Sequence, residues 1–131
     1  KVLLPQEWLL SILPQVAGRT REEKPQFYLL AHCTEKTVKP SPHGDWSKLF
    51  AHLGAELKPV AVGCCGMAGT YGHDAKHLED SKNIYQMSWG AALATLPKAQ
   101  CLATGYSCRS QVKRMEGEKL RHPLQALLSL L

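Results

Sequence analysis

Cys64 and Cys65 stand side by side in the segment Val62-Gly63-Cys64-Cys65-Gly66-Met67-Ala68-Gly69-Thr70, with Cys33 upstream and Cys101 and Cys108 downstream. Neighbouring cysteines do not readily bridge each other, because a disulfide needs a separation and orientation of its alpha carbons that a trans peptide resists. Each thiol of the pair therefore asks for another partner, either a soft metal or a distant cysteine, and the pattern points to metal or redox chemistry. The five cysteines are an odd number at irregular spacing, which argues against a secreted disulfide scaffold and for a reducing compartment.

The elements that must position these thiols follow from hydrophobic period and punctuation. Residues 5–13 read as a helix opened by Pro5 and closed by Pro14, with Trp8, Leu9 and Ile12 on one face. The apolar run 27–32 has the length and continuity of a strand covered on both faces, and Cys33 follows it. A loop over 36–44 leads to Asp45, an N-cap for a helix carrying Trp46, Leu49, Phe50 and Leu53, with Gly54 as its stop. Residues 59–62 read as the second strand, running directly into Gly63-Cys64-Cys65-Gly66. Ser81 is the expected cap of a longer helix, with Ile84, Met87 and Ala91 on one stripe and Tyr85, Trp89, Ala92 and Leu96 on another.

Residues 100–104 read as the third strand, followed by Gly105-Tyr106-Ser107-Cys108 and a helix over 109–116. A last helix opens at Pro123 with Leu124, Leu127, Leu128 and Leu131 on its apolar side, and 120–122 has room for a very short fourth strand. Trp8, Trp46 and Trp89 are read as core. The alternation of strand and helix predicts an α/β fold of three layers: a mostly parallel sheet of three to four strands with helices on both faces. Right-handed crossovers bring the carboxyl ends of the strands to one edge, where such sheets place ligands. Cys33, Cys64, Cys65 and Cys108 would meet there, whereas Cys101 starts its strand and reads as a small core residue.

Composition sets the limits. The 131 residues make a single domain, 1–131, large enough for its own core, and with 44% hydrophobic and 21% charged residues it has the make-up of a soluble globular protein. No apolar run is long enough to cross a bilayer. The chain opens on Lys1, and it is read as a domain excised from something longer. The net charge of +5 is concentrated in the last third, but no aromatic residues are interleaved for base stacking, so no nucleic-acid partner is expected.

Four segments carry a resemblance: His32-Cys33-Thr34-Glu35-Lys36-Thr37, Cys64-Cys65-Gly66-Met67-Ala68-Gly69-Thr70-Tyr71-Gly72-His73, Ile84-Tyr85-Gln86-Met87-Ser88-Trp89, and residues 103–114 around Gly105-Tyr106-Ser107-Cys108. The chain resembles the cysteine-rich CCG domain found in heterodisulfide reductase, in the iron-sulfur component of glycolate oxidase and in anaerobic glycerol-3-phosphate dehydrogenase. It is most similar to the C-terminus of the long bacterial FAD-linked oxidases, described as D-lactate or D-2-hydroxyglutarate dehydrogenases. The resemblance implies an electron-transfer module. Its partners would be an upstream FAD domain and a ferredoxin-like segment of the same chain, with the electron acceptor left open. It also implies a cytoplasmic location, with peripheral attachment at the inner membrane as the alternative. The spacing departs from many members, because six residues separate Cys101 from Cys108, and strand geometry makes Cys108 the equivalent of the final ligand.

With that resemblance, Cys33, Cys64, Cys65 and Cys108 supply the four thiolates a 4Fe-4S cluster takes. Zinc in a closed thiolate tetrahedron is the competing ion, although adjacent ligands strain a single-ion site more. Docking without metal and reversible pairing of Cys64 or Cys65 with Cys33 or Cys108 are the other readings. Gly66, Gly69 and Gly72 lack the pattern of a nucleotide loop and serve either close backbone approach to the site or a tight turn. His73 and His77 have the spacing of a helical metal pair, but the position after His73 holds Asp74 rather than the glutamate a zinc protease requires, and a surface role competes. His32, Tyr106 and Ser107 are candidates to shape the site around the thiols.

Overall fold

The computed structural model of the protein describes residues 1–39 and 41–131. Strands β1 (Gln26–Leu30), β2 (Glu56–Pro59) and β3 (Cys101–Ala103) form one parallel sheet in the order β2-β1-β3. Phe27 is in register with Leu57, and Leu29 with Leu102. Around the sheet lie helices α1 (Pro5–Ile12), α2 (Cys33–Val38), α3 (Pro42–His52), α4 (Leu78–Tyr85), α5 (Ala91–Thr95), α6 (Tyr106–Glu116) and α7 (Pro123–Leu130). The expected three-layer α/β fold is the one observed. No helix among the described residues is long and apolar enough to cross a membrane.

Strand alternation sorts the core into two halves. Phe27, Leu29, Leu57 and Leu102 face α1, α3 and α7, where they pack with Trp46, Phe50 and Leu127. Leu30, Cys101 and Ala103 face the opposite way, toward Tyr85, Trp89, Val112, Cys65 and Cys108. Cys101 is 1% exposed, a core residue at the start of β3 as its position implied. Cys65, Cys101 and Cys108 belong to the second half, covered by α4, α5 and α6.

Several boundaries differ from the sequence reading. The second strand lies earlier, at Glu56–Pro59, because Leu57 supplies the buried contact and Val60 is the last residue to bond β1, its N–H donating to Leu29 O at 2.9 Å. The cysteine pair is therefore separated from the strand by an extended linker. The expected loop over 36–44 is partly helix: α2 starts at Cys33 because His32 caps it, and α3 starts at Pro42, with Asp45 in its first turn rather than at its cap. Position 40, within that expected loop, lies outside the described residues. The fourth strand is reduced to one bridge between Leu102 and Arg121.

Helix faces are corrected too. Trp8 is 53% exposed rather than core, because Gln6 takes the buried position on α1, its Nε2 donating to Glu35 Oε1 at 2.8 Å. On α7, Pro123, Ala126, Leu127 and Leu130 are buried while Leu124, Leu128 and Leu131 remain exposed. Between α4 and α5 the helix widens into a π turn at Gln86–Gly90. This turn rotates the following residues in phase, so Met87 is exposed and the Tyr85 and Trp89 stripe carries the packing. Ser81 is not a cap: it lies inside α4, fully buried.

His122 caps α7 and joins it to α3. Its Nδ1 accepts from Leu124 N–H at 3.1 Å, its own N–H donates to Gln125 Oε1 at 2.8 Å, and its ring meets Trp46 edge-on at 5.7 Å. Burial, reinforced by Arg109 and only partly opposed by Glu35, holds its pKa below the ordinary 6.5. As pH falls through the ordinary value, the unfolded chain takes up this proton first, so stability is lost on acidification until the folded value is passed. Urea midpoints of this chain measured at about pH 7.5 and about pH 5.5 should therefore fall further for wild type than for His122→Gln. Equal falls would remove His122 from the account.

Candidate thiol site at the sheet edge

The parallel sheet delivers three connections to one edge. Cys33 is the first residue of α2, just past β1, and is exposed. Cys64 and Cys65 follow the linker after β2, half-buried and buried respectively. Cys108 is the third residue of α6, which begins at Tyr106 rather than after the cysteine, and it is 2% exposed. All five cysteines are unbridged.

The buried thiols act on one another. Cys65 and Cys108 lie close enough that each is the largest influence on the other's ionisation. Cys108 lowers Cys65 to about 7, aided by the amides of Met67 and Cys65 and by the Cys64 side chain, against burial. Cys108 is pushed well up as the partner that keeps its proton, with burial acting the same way and the Ser107 side chain opposing. The pair thus titrates as one unit, with Cys65 carrying the thiolate and Cys108 keeping its proton. Charge on Cys33 also raises Cys108, which puts the exposed thiol within electrostatic reach of the buried pair. Cys64 Sγ accepts from Gly66 N–H at 3.3 Å.

Thus Cys64, Cys65 and Cys108 come within reach of one another's charge, with Cys33 acting on Cys108 from the exposed side. Among the described residues, no three of His, Cys, Asp or Glu are arranged to hold a single metal ion. The donor set is soft and the cradle is open. A Cβ on Gly105 would overlap the His32 ring and come within 2.8 Å of Cys108 Sγ, so only glycine leaves that approach free.

His32 caps α2, its Nδ1 accepting from Thr34 N–H at 3.2 Å, and this bond places the ring proton on Nε2, 3.4 Å from Ser107 Oγ. His32 N–H donates to Thr104 Oγ1 at 2.9 Å, tying the ends of β1 and β3 together. His32 and Ser107 thus border the thiols. Tyr106 points elsewhere: it is 69% exposed, with Lys119 Nζ 5.1 Å from its ring centroid.

Of the three loop glycines, Gly66 and Gly72 serve close approach and Gly69 the turn. Gly66 has φ +89° and its Cα lies against the Ser81 carbonyl, where a Cβ has no room. A Cβ on Gly72 would fall 2.7 Å from Ser81 Oγ, whereas nothing lies near Gly69. The expected helical pairing of His73 and His77 does not occur. They occupy separate short turns broken at Asp74, whose extended backbone ends the first, and His77 stacks on Tyr71 at 4.0 Å.

Sequence reasoning passed over several groups that hold the site. The linker residue Gly63 is gripped on both polar atoms: its N–H donates to Ser88 Oγ at 2.8 Å and its carbonyl accepts from Trp89 Nε1 at 3.0 Å. Tyr85 OH donates to Glu116 at 2.9 Å, and Glu116 in turn pairs with Lys98. Burial, Glu116 and the charge on Cys65 raise the Tyr85 pKa, so this phenol stays neutral beside the thiolate. Spacing held one signal for Gln111, which stands one helical turn beyond Cys108 and therefore shares its face.

The fold and site together define a three-layer α/β domain with thiols gathered at the carboxyl edge of a parallel sheet. Its relatives bear one name, D-2-hydroxyglutarate dehydrogenase. The chain is 53% identical over 130 residues to that of Escherichia coli K12, covering 99% of this chain and 13% of the relative. It is 52% identical over 130 residues to that of Pantoea ananatis, with the same two coverages. It is 52% identical over 128 residues to that of Pseudomonas putida, covering 98% of this chain and 12% of the relative. The chain thus spans about an eighth of the length of these curated relatives. No family model and no solved structure matches it.

Gly105→Ala should destabilise this chain by about 1–3 kcal/mol, because the new methyl must displace His32 or Cys108. Gly63→Ala, whose Cβ would find its nearest atom at 3.8 Å, should change stability by no more than about 0.5 kcal/mol. Urea unfolding of the two variants checks the contrast.

Proposed function

We propose that this domain is the iron-sulfur, electron-transfer module of an FAD-dependent D-2-hydroxyacid dehydrogenase. The observation that carries the reading is the convergence of Cys64, Cys65 and Cys108 at the sheet edge, with Cys33 at the rim. The shared name of relatives about half identical along nearly the whole chain supplies the substrate class. A 4Fe-4S cluster held there would accept and pass on single electrons. Cys33, Cys64, Cys65 and Cys108 would be its thiolates, and a cluster suits them better than zinc because each sulfur then binds a different iron.

The chain's own residues prepare the site. Cys65 loses its proton near neutral pH, and the Gly66 amide is already directed at Cys64. The core half behind the thiols excludes water from Cys65 and Cys108, while Cys33 leaves one side open to a donor or acceptor. Removal of hydride from the hydroxyacid is not assigned to this domain. That step is assigned to a flavin domain elsewhere in the longer chain, reached through a ferredoxin-like segment.

A docking role is favoured by a separate observation. Leu9, Leu13, Leu49, Leu124, Leu128 and Leu131 help line an open aliphatic groove of about 230 Å³ between α1 and α7. Since the relatives are far longer than this chain, the occupant we assign is the remainder of the same polypeptide.

The deciding measurement is iron, sulfide and zinc content, with electron paramagnetic resonance, on full-length protein prepared anaerobically. Cluster iron assignable to this site should be present in wild type and lost in Cys65→Ser. Zinc, or an unchanged iron and sulfide count in the variant, would overturn the cluster reading. For the groove, Leu128→Asp should leave the stability of this chain within about 0.5 kcal/mol while making the full-length protein easier to cleave next to this domain. Unchanged proteolysis would argue against docking there.

A further inference from the structure

Behind the cysteine loop lies a buried polar chain that the proposed function does not by itself require. Ser81 and Gln111 are both 0% exposed. Ser81 Oγ donates to the Gly66 carbonyl at 2.7 Å. Gln111 Nε2 donates to Ser81 Oγ at 2.8 Å and to Ser81 O at 3.4 Å. The Ser81 carbonyl can only accept, so the amide orientation of Gln111 is fixed by the network. That orientation leaves Gln111 Oε1 buried without a partner. An unmet buried acceptor is costly, so a hydrophobic residue here would serve the fold at least as well.

The geometry of one peptide explains what the polar chain accomplishes. Gly66 O and Met67 N–H belong to the same peptide unit, and no peptide bond among the described residues is cis. In a planar trans unit the carbonyl and the N–H point in opposite directions. Holding the carbonyl from the α4 side therefore aims the N–H the other way, and the Met67 amide is among the groups that favour the Cys65 thiolate. The close approach of Gly66 to Ser81, which its positive φ permits, leaves this peptide little freedom to rotate. Arg114, on the same helix as Gln111, bonds the Gly72 carbonyl, and Gly72 N–H closes the loop onto Met67 O at 2.9 Å.

We propose that Ser81 and Gln111 are positioning residues for the cysteine loop, fixing the Gly66-Met67 peptide so that its amide stays turned to the side of the loop away from Ser81. Gln111 stands one turn from Cys108, so the helix that carries one thiol also sets an amide that favours the thiolate of the other. The residues are not ligands; they act through the loop. In its consequence for electron transfer the proposal rests on the cluster reading, because hydrogen bonds to cluster sulfurs tune the potential.

The test uses Ser81→Ala and Gln111→Met in the full-length chain. Hydrogen exchange of the peptide spanning the cysteine loop is followed in metal-free protein, alongside thermal unfolding. Release of the peptide should speed exchange at Met67 by roughly tenfold in both variants, the loss of about one hydrogen bond. Gln111→Met should at the same time keep or raise the melting temperature, since it removes the unpartnered oxygen. In cluster-loaded protein both variants should shift the midpoint potential or the paramagnetic resonance spectrum without loss of iron. Unchanged exchange at Met67 in both variants overturns the proposal. Faster exchange in a wild-type background that never holds iron defeats the cluster reading instead and leaves the positioning role supported.

Discussion

Parallel pairing of a central β1 with β2 on one side and β3 on the other is the constraint from which the rest follows. Parallel strands must be joined by long crossovers, and each crossover here leaves from the same edge. Residues some seventy-five positions apart, such as His32 and Ser107, become neighbours for that reason alone. The sheet is short, so its edge is crowded: Thr104 bonds the His32 amide, and Gly105 has no room for a side chain. Any thiol placed just beyond a strand end is brought to one confined place.

Confinement then determines the chemistry. Two thiols in water ionise independently, whereas Cys65 and Cys108, buried against the second half of the core, cannot both carry charge. One proton is kept, and the remaining charge is met by backbone amides rather than by a cation. Tyr85 illustrates the same rule from the neutral side, keeping its proton between the thiolate and Glu116. The basic last third, conspicuous in sequence, is largely consumed internally: Lys98 pairs with Glu116, Arg114 holds Gly72, and Arg121 bonds the Ala99 carbonyl.

The sheet, its parallel sense and the convergence of the strand ends were legible because buried strands and helices differ in period, and because Cys33, Cys64, Cys65 and Cys108 all follow apolar runs. Cys101 was read correctly from its place in the strand. What escaped was set by side chains meeting across the fold. His32 caps α2, a role usually taken by shorter polar residues, and so that helix was missed. Ser81 looked like a cap because serine usually is one at a helix start, yet tertiary bonds to Gly66 and Gln111 gave it a different task. The π turn has no signature in a hydrophobic stripe, and it moved Met87 to the surface. Leu128 and Leu131 obey the stripe but stay exposed along the groove they share with Leu9 and Leu13.

That π turn has an implication for how such chains tolerate changes in length. Ser88 and Trp89 are consecutive residues, yet they reach the N–H and the carbonyl of one residue, Gly63, which lie in successive peptide units. The turn sets the phase on which this depends, since each residue of an α-helix advances about 100° around the axis. Deleting one position in Gln86–Gly90 would restore regular winding and turn every later residue of the helix to a new heading, detaching the linker that feeds the cysteine pair. The register from Tyr85 to Leu93 is therefore held to its present count by the linker it grips.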